Sequence, residues 1–315
     1  MTDVTPDLFL QFTVIGLVLG SLYALIALGY TLVYGVLQLI NFAHSEVFMM
    51  GAFAGLFTLR GMLGSRPVVA DYAATFPIFL LIAFAAAAGA GGATAWTLER
   101  VAYRPLRRRG APRLAFLISA IGASIFLSNL AGKLWSRDSN SMPTFFDGDR
   151  AIFQVGNTTM NLTQVIVVGT ALVMLLFLDV VVSRTKLGQG VRAVAQDAPT
   201  AALMGVDIDK TISRTFVIGG ILGGGAGLLF GIFQSSVGYT MGFLPGVKAF
   251  AAAVLGGIGN IRGAMLGGLL LGLVENWVGL FIGTQWTDVV AFVVLVLVLM
   301  FRPTGLLGER LGRSA

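Results

Sequence analysis

The sequence has no cysteine and a single histidine, His44, in 315 residues. Without thiols there is no disulfide, thiolate zinc site or thiol nucleophile, and cysteine usage says nothing about compartment. One imidazole argues against a His-built metal cage or a Ser-His-Asp triad within the chain. Charge is scarce too. Asp, Glu, Lys and Arg make up 11% of the residues, against about 25% in an average soluble domain. So few charges cannot cover a 33.1 kDa globule. That excludes an ordinary soluble protein, a disordered chain and a nucleic-acid binder, whatever the sequence pI of 10.0 implies. What is abundant is apolar: 56% of the chain is hydrophobic and the mean hydropathy is +0.87. Glycine reaches 42 residues, which suits helices packing closely in lipid.

Crossing a bilayer as a helix takes about 20 largely apolar residues. Leu8 to Ala43 contains no Asp, Glu, Lys, Arg or His, and further apolar runs cover roughly 45–59, 76–97, 114–135, 162–182, 212–233, 246–258, 265–283 and 287–301. The expected fold is all-α: one polytopic transmembrane domain over 1–315, with about eight or nine spans and one or two broken helices. The acidic start, Met1-Thr2-Asp3, has no basic n-region, so the first apolar segment is expected to be retained.

Basic residues orient the bundle, because cytoplasmic loops are enriched in Lys and Arg. Arg100, Arg104, Arg107, Arg108, Arg109 and Arg113 cluster in the 99–113 loop. Arg184, Lys186, Arg192, Lys210 and Arg214 lie in 183–214, and Arg302, Arg310 and Arg313 in the tail, with Arg262 in a short turn. Arg60, Arg66, Lys133, Arg137 and Arg150 would lie opposite, some of them in an extracytoplasmic loop at 133–161. The expected arrangement is a multi-pass membrane protein with a cytoplasmic C-terminus. Attraction to anionic headgroups is compatible with the same basic runs.

Two interruptions stand out. If residues 8–28 form one crossing, 29–59 would span about 46 Å at ~1.5 Å per residue, more than the ~30 Å hydrocarbon core. Near the middle lies a polar knot, Asn41-Phe42-Ala43-His44-Ser45-Glu46. A broken helix interrupted at membrane depth is the favoured reading, with a cytoplasmic turn at 41–46 as the alternative. Non-helical backbone at that depth must be buried in protein or line a wet cavity. The second interruption is Gly256-Gly257-Ile258-Gly259-Asn260, after an apolar run too short to span alone. Paired interruptions of this kind point to a site between repeats. They predict a translocation path past Asn41, His44, Ser45, Glu46, Gly256, Gly257 and Asn260, with the knot and the glycines facing each other. An inverted repeat relating 8–135 to 212–301 is a further expectation. The spacings Gly16/Gly20, Gly219/Gly223/Gly227/Gly231, Gly263/Gly267 and Gly268/Gly272 are small-xxx-small faces for close packing.

Chemical motifs are missing. Gly132-Lys133 lacks the rest of a phosphate loop, so no bound ATP or other cofactor is expected, and no enzymatic activity. Ionisable residues within spans are His44, Glu46, Lys248 and Glu275, with Asp179 and Asp288 near span ends. Lys248 and Glu275 are expected to pair, and Glu46 to anchor to Lys248 or to a freed helix N-terminus. The 183–214 segment is patterned. Val191, Val194 and Ala195 share a helical face. Asp197-Ala198-Pro199 reads as a cap with proline in the first turn. Ala201 to Gly205 is then a short helix with a glycine stop. Small apolar residues on a cytoplasmic loop suit docking into a partner's groove.

Several stretches together resemble the permeases of branched-chain amino-acid ABC transporters. These are Gly20-Ser21-Leu22-Tyr23-Ala24-Leu25-Ile26-Ala27-Leu28-Gly29-Tyr30, Ile40 through Glu46, Glu99-Arg100-Val101-Ala102-Tyr103-Arg104-Pro105, Leu117 through Gly122, Thr215 through Gly219, Met241-Gly242-Phe243, Lys248 through Asn260, and Arg302-Pro303-Thr304-Gly305. The likeness is to the high-affinity leucine/isoleucine/valine permease subunit, with Ser45 where that break carries glycine. It implies a type II importer permease, a second homologous permease subunit, two cytoplasmic ATP-binding subunits that use ATP and Mg, and a periplasmic solute-binding protein. The 186–207 loop resembles the coupling segment of that family, which assigns ATPase coupling to Arg192, Ala195, Asp197, Ala201, Ala202 and Gly205. Family members also carry urea, short amides and other amino acids. A standalone ion-coupled carrier using His44, Glu46 and Glu275, or a passive channel, would be a different class.

Overall fold

The computed structural model describes residues 5–63, 76–143, 151–155, 158–302 and 304–308. Arg66, Arg150, Arg310 and Arg313 of the orientation argument lie outside the described residues. The helices in chain order are α1 (Pro6–Leu37), α2 (His44–Leu63), α3 (Phe76–Leu98), α4 (Arg104–Arg108), α5 (Arg113–Trp135), α6 (Leu162–Arg184), α7 (Lys186–Gln196), α8 (Ala198–Leu203), α9 (Ile208–Gln234), α10 (Phe243–Gly256), α11 (Ile261–Ile282) and α12 (Thr287–Phe301). One π-helical turn, Glu99–Tyr103, joins α3 to α4. Strands β1 (Asn140–Ser141), β2 (Ala151–Val155) and β3 (Thr158–Asn161) lie in the 133–161 loop. There β2 pairs antiparallel with β3, and β1 with β4 (Ser236–Val237). Among the described residues, eight helices are long and apolar enough to cross a membrane. The 14-residue α10 would reach only about 21 Å.

Local sequence sets the ends. Thr5 Oγ1 accepts from the Leu8 N–H and Pro6 takes the first turn of α1. Asn161 and Gln164 cap α6 reciprocally. Asp207 accepts from the Lys210 N–H at 3.0 Å to open α9.

Glycine faces then decide which helices meet. Gly16 and Gly20 of α1 lie on Gly272 and Leu269 of α11, with the two helices antiparallel. Gly224 of α9 touches Ala87 and Gly91 of α3 and also Gly51 of α2. The central helices α1 and α9 are therefore mostly buried, while α5 and α12 lie at the periphery with little of their surface covered.

The structure corrects the first interruption. α1 runs unbroken past residue 28 to Leu37, where Gln38 in the left-handed conformation (φ 53°) ends it. The chain then reverses over 38–43. α2 runs parallel to α9, pairing Phe48 with Gly227 and Gly55 with Leu228, whereas α1 runs antiparallel to α11. The interruption is thus a reversing turn between two helices, not a gap in one span, and His44, Ser45 and Glu46 form the first turn of α2. The turn still reaches deep: the His44 ring lies against Gly29 of α1 and Gly223 of α9, both far from their helix ends.

The pairs α1–α2 and α9–α10 run in opposite senses. α10 is antiparallel to α11, with Ala252 against Gly267 and Gly256 against Gly263. It starts where α2 starts, since Gly242 and Gly246 both lie against Ser45.

Because Gly224 is in backbone contact with two neighbours, Gly224→Val should separate α9 from α3, costing at least the ~1–3 kcal/mol typical of overpacking. Gly89→Val, on the open face of α3 with nothing within 4 Å, should be neutral. Thermal unfolding in detergent compares the two; equal melting temperatures would refute the packing argument.

Candidate functional site

The knot is built by its own side chains and by α3, α5 and α10. Asn41 Oδ1 accepts from the Ala43 N–H at 3.1 Å and from Tyr103 Oη at 2.6 Å. Ser45 Oγ donates to Phe42 O at 2.8 Å. The Glu46 carboxylate accepts from Ser124 Oγ at 3.0 Å, which ties α2 to the middle of α5. Its second oxygen, like Nε2 of His44, is buried without a hydrogen-bond partner. Tyr30 packs edge-on to the His44 ring at 5.1 Å between centroids. Asn41, His44, Ser45 and Glu46 are all buried within the chain. Beside them opens a small groove lined by Tyr30, Tyr34, Ile40, Phe250, Ala253 and Ile258. These aromatic and aliphatic residues carry no charge and escaped the sequence reading, which looked for polar ones. The period of α1, placing Tyr30 and Tyr34 on one face, was the available signal.

The glycines at 256–259 are not in contact with the knot, although Ile258 between them lines the same groove as Ile40. They form the hairpin between α10 and α11. Gly257 (φ 108°) and Gly259 (φ 95°) adopt backbone that side chains resist. The C-terminal segment closes over them. Leu306 N–H donates to Leu255 O at 2.8 Å, Leu307 N–H to Gly256 O at 3.0 Å, and Asn260 Nδ2 to Leu307 O at 2.8 Å. Asn260 also caps α11, accepting from the Gly263 N–H. The helix α10, 14 residues long, separates Gly256, Gly257 and Asn260 from the knot at its other end.

Lys248 is not available to Glu46. Its Nζ lies 2.6 Å from Glu275 Oε1 and 2.5 Å from Asp288 Oδ1, and above the Tyr23 ring at 5.8 Å. One buried ammonium thereby binds α10 to α11, α12 and α1. Of the two anchors expected for Glu46, only the helix start remains: the carboxylate lies beside Gly242, at the N-terminus of α10.

At the end of the bundle that carries most of the Arg residues, α7 and α8 form a compact pair. Asp197 caps α8, accepting from the Thr200 N–H and hydroxyl; these bonds hold its carboxyl below the usual range. Gly205 (φ 86°) stops the segment. Ala201 is buried beneath it, and Arg192 donates to Val182 O. Ala195 is half-buried, whereas Ala202 is exposed. Leu203 and Met204 project outward, 88% and 82% exposed. The sequence reading passed over both, although they are the largest apolar residues of that turn. It also missed Glu99, read only as part of a basic loop. Glu99 is fully buried on the π turn, accepting from Arg104, Arg107 and Ser213 and so tying α3 and α4 to α9.

Eight apolar helices, two of them reversing into the bundle around a buried polar knot, define a multi-pass membrane protein of the permease class. The chain belongs to the family of permease components of branched-chain amino acid transport systems, whose model matches residues 12–299. It is 45% identical to the high-affinity branched-chain amino acid transport system permease protein BraD of Pseudomonas aeruginosa, over 96% of each chain. It is 40% identical to the LivH permease protein of Escherichia coli K12, again over 96% of each. A probable LivH permease of Methanocaldococcus jannaschii is 25% identical over 93% of this chain and 90% of its own. No solved structure matches.

Lys248→Met would leave Glu275 buried without its counter-charge. Breaking a buried pair costs about 3–5 kcal/mol, so the variant should melt well below the parent. Lys248→Met with Glu275→Gln should recover part of that loss. A double-mutant cycle on melting temperature checks the coupling; additive losses would show that the pair is not one unit.

Proposed function

We propose that the chain is one permease subunit of an ATP-driven importer, moving branched-chain amino acids inward across a bacterial inner membrane. The carrying observation is the meeting of two helix N-termini, those of α2 and α10, deep in the bundle, with the aromatic groove running on from there along the C-terminal half of α10. A helix N-terminus favours negative charge, and discontinuous helices place such ends at substrate carboxylates. The apolar groove suits a branched side chain. Asn41, His44, Ser45 and Glu46 support this wall from behind, and a shift of α10 would open the path to them. Gly256, Gly257 and Asn260 act at the far end of α10, as its hinge. The relatives' names carry the substrate class, and the neutral groove favours it over a charged solute.

With the basic segments in the cytoplasm, the C-terminus is cytoplasmic and α7 and α8 face inward. The exposed Leu203–Met204 tip then docks into one of two cytoplasmic ATP-binding subunits, which hold ATP and Mg; this chain binds no cofactor of its own. A second homologous permease completes the path, and a periplasmic binding protein delivers the substrate. Proteoliposomes holding all subunits should take up labelled leucine only with ATP inside. Uptake by this chain alone on an ion gradient would overturn the reading. In the same assay Asp197→Ala with Gly205→Val should abolish substrate-stimulated ATP turnover while the protein still inserts; normal turnover would exclude docking through α8.

The native chain has no cysteine, so single cysteines report access directly. At 41 and 45 they should react with small water-soluble thiol reagents in one nucleotide state and be protected in the other. Protection at 41 and 45 in every state would mean that the knot only packs helices.

A further inference from the structure

The basic end of the bundle holds more than a topology signal. A cavity of about 620 Å³ opens there, between the end of α3, α4 and the first turns of α9, with Leu187 of α7 at its rim. Arg100, Arg104, Arg108, Lys210 and Arg214 line it, against two carboxylates, Asp207 and Asp209. Three of these cations are already engaged. Arg104 pairs with Glu99, Arg108 with Asp209, and Lys210 with Asp207. Arg100 and Arg214 have no carboxylate partner among the described residues, and Arg100 rests over the Trp96 ring at 5.6 Å.

The cavity is two-faced. Its other wall is Trp96, Val217 and Ile218. Trp96 is 45% exposed, and tryptophan settles where hydrocarbon gives way to headgroups. Unpaired guanidinium groups bind phosphate oxygens through paired N–H donors. A soluble anion has no use for the apolar wall, and an acidic protein segment has none for a surface at hydrocarbon depth. An amphiphile with a phosphate head uses both.

We propose that this cavity binds the headgroup of an anionic phospholipid, its phosphate on Arg100 and Arg214 and its acyl chains along Trp96, Val217 and Ile218. Basic pockets between membrane helices are suited to such headgroups. The site adjoins the turn between α8 and α9, so its occupancy would stiffen the base from which α8 projects. The transport reading enters only in naming the cytoplasmic leaflet as the source.

Native mass spectrometry of the full chain in mild detergent, with phosphatidylglycerol or phosphatidylcholine added, tests this. The parent should retain phosphatidylglycerol in preference. Arg100→Gln with Arg214→Gln should weaken retention by roughly tenfold or more, whereas Arg100→Lys with Arg214→Lys, which keeps both charges, should hold most of it. Arg137→Gln, on an exposed residue at the other end, should change nothing. Both tested arginines are exposed, and an unchanged melting temperature separates lost binding from lost fold. Equal retention by the parent and the double Gln variant would overturn the site. Displacement by millimolar inorganic phosphate would reassign it to a soluble anion, and loss of the lipid on assembly with the partner subunits would reassign it to a protein interface. None of these outcomes bears on leucine uptake, so the two readings fail separately.

Discussion

The closest helix contacts near the centre of this protein depend on backbone meeting backbone. Lipid offers no hydrophobic drive between helices, so packing and polar bonds must hold them. Glycine supplies the packing by removing side chains from the contact. α9 presents Gly220 and Gly224 to α3, Gly224 and Gly227 to α2, and Gly223 to His44. α1 does the same toward α11. The space left by Gly29 and Gly223 is what admits an imidazole to the middle of the bundle. Without that space the turn at 38–43 could not fold inward, and α2 and α10 would not begin in contact.

Polar groups brought to such depth need partners. The turn is satisfied largely by short-range bonds, Ala43 to Asn41 and Ser45 to Phe42, with Tyr103 of the π turn and Ser124 of α5 added. One oxygen of Glu46 and one nitrogen of His44 are left over. Unpartnered groups beside a helix N-terminus mark a region able to rearrange, while the Lys248 cluster a few residues away fixes the rest of α10 to three other helices.

The two ends of α10 therefore differ in kind. Its N-terminus meets a polar turn, while the aromatic groove lies along its C-terminal half. Its C-terminus is clamped through Leu255, Gly256 and Asn260 to the segment 304–308. α10 is thus held at one end and along its side, and meets an incompletely partnered polar turn at the other. At the basic end of the bundle, Glu99 joins α3, α4 and α9 through Arg104, Arg107 and Ser213.

Composition alone determined that the chain lives in a membrane, because so few charges cannot solvate its surface. Hydropathy located most of the spans, since length and apolarity are local properties. The cap at Asp197 was legible for the same reason: a cap is a relation between residues three apart. The end of α1 was not legible. No charge or proline marks residue 37, and the helix stops because Gln38 turns left-handed where the knot must fold back. The partners of Lys248 and Glu46 could not be separated in sequence either, as each carboxylate lies far away along the chain. The pairing of Lys248 with Glu275 was expected from sequence, but only the tertiary structure could decide that Asp288 also reaches the ammonium, that Gly256 and Gly257 belong to a hairpin rather than to the knot, and that Arg100 and Arg214 are left without a carboxylate partner among the described residues. Those outcomes depend on how helices stack and rotate, which periodicity leaves free.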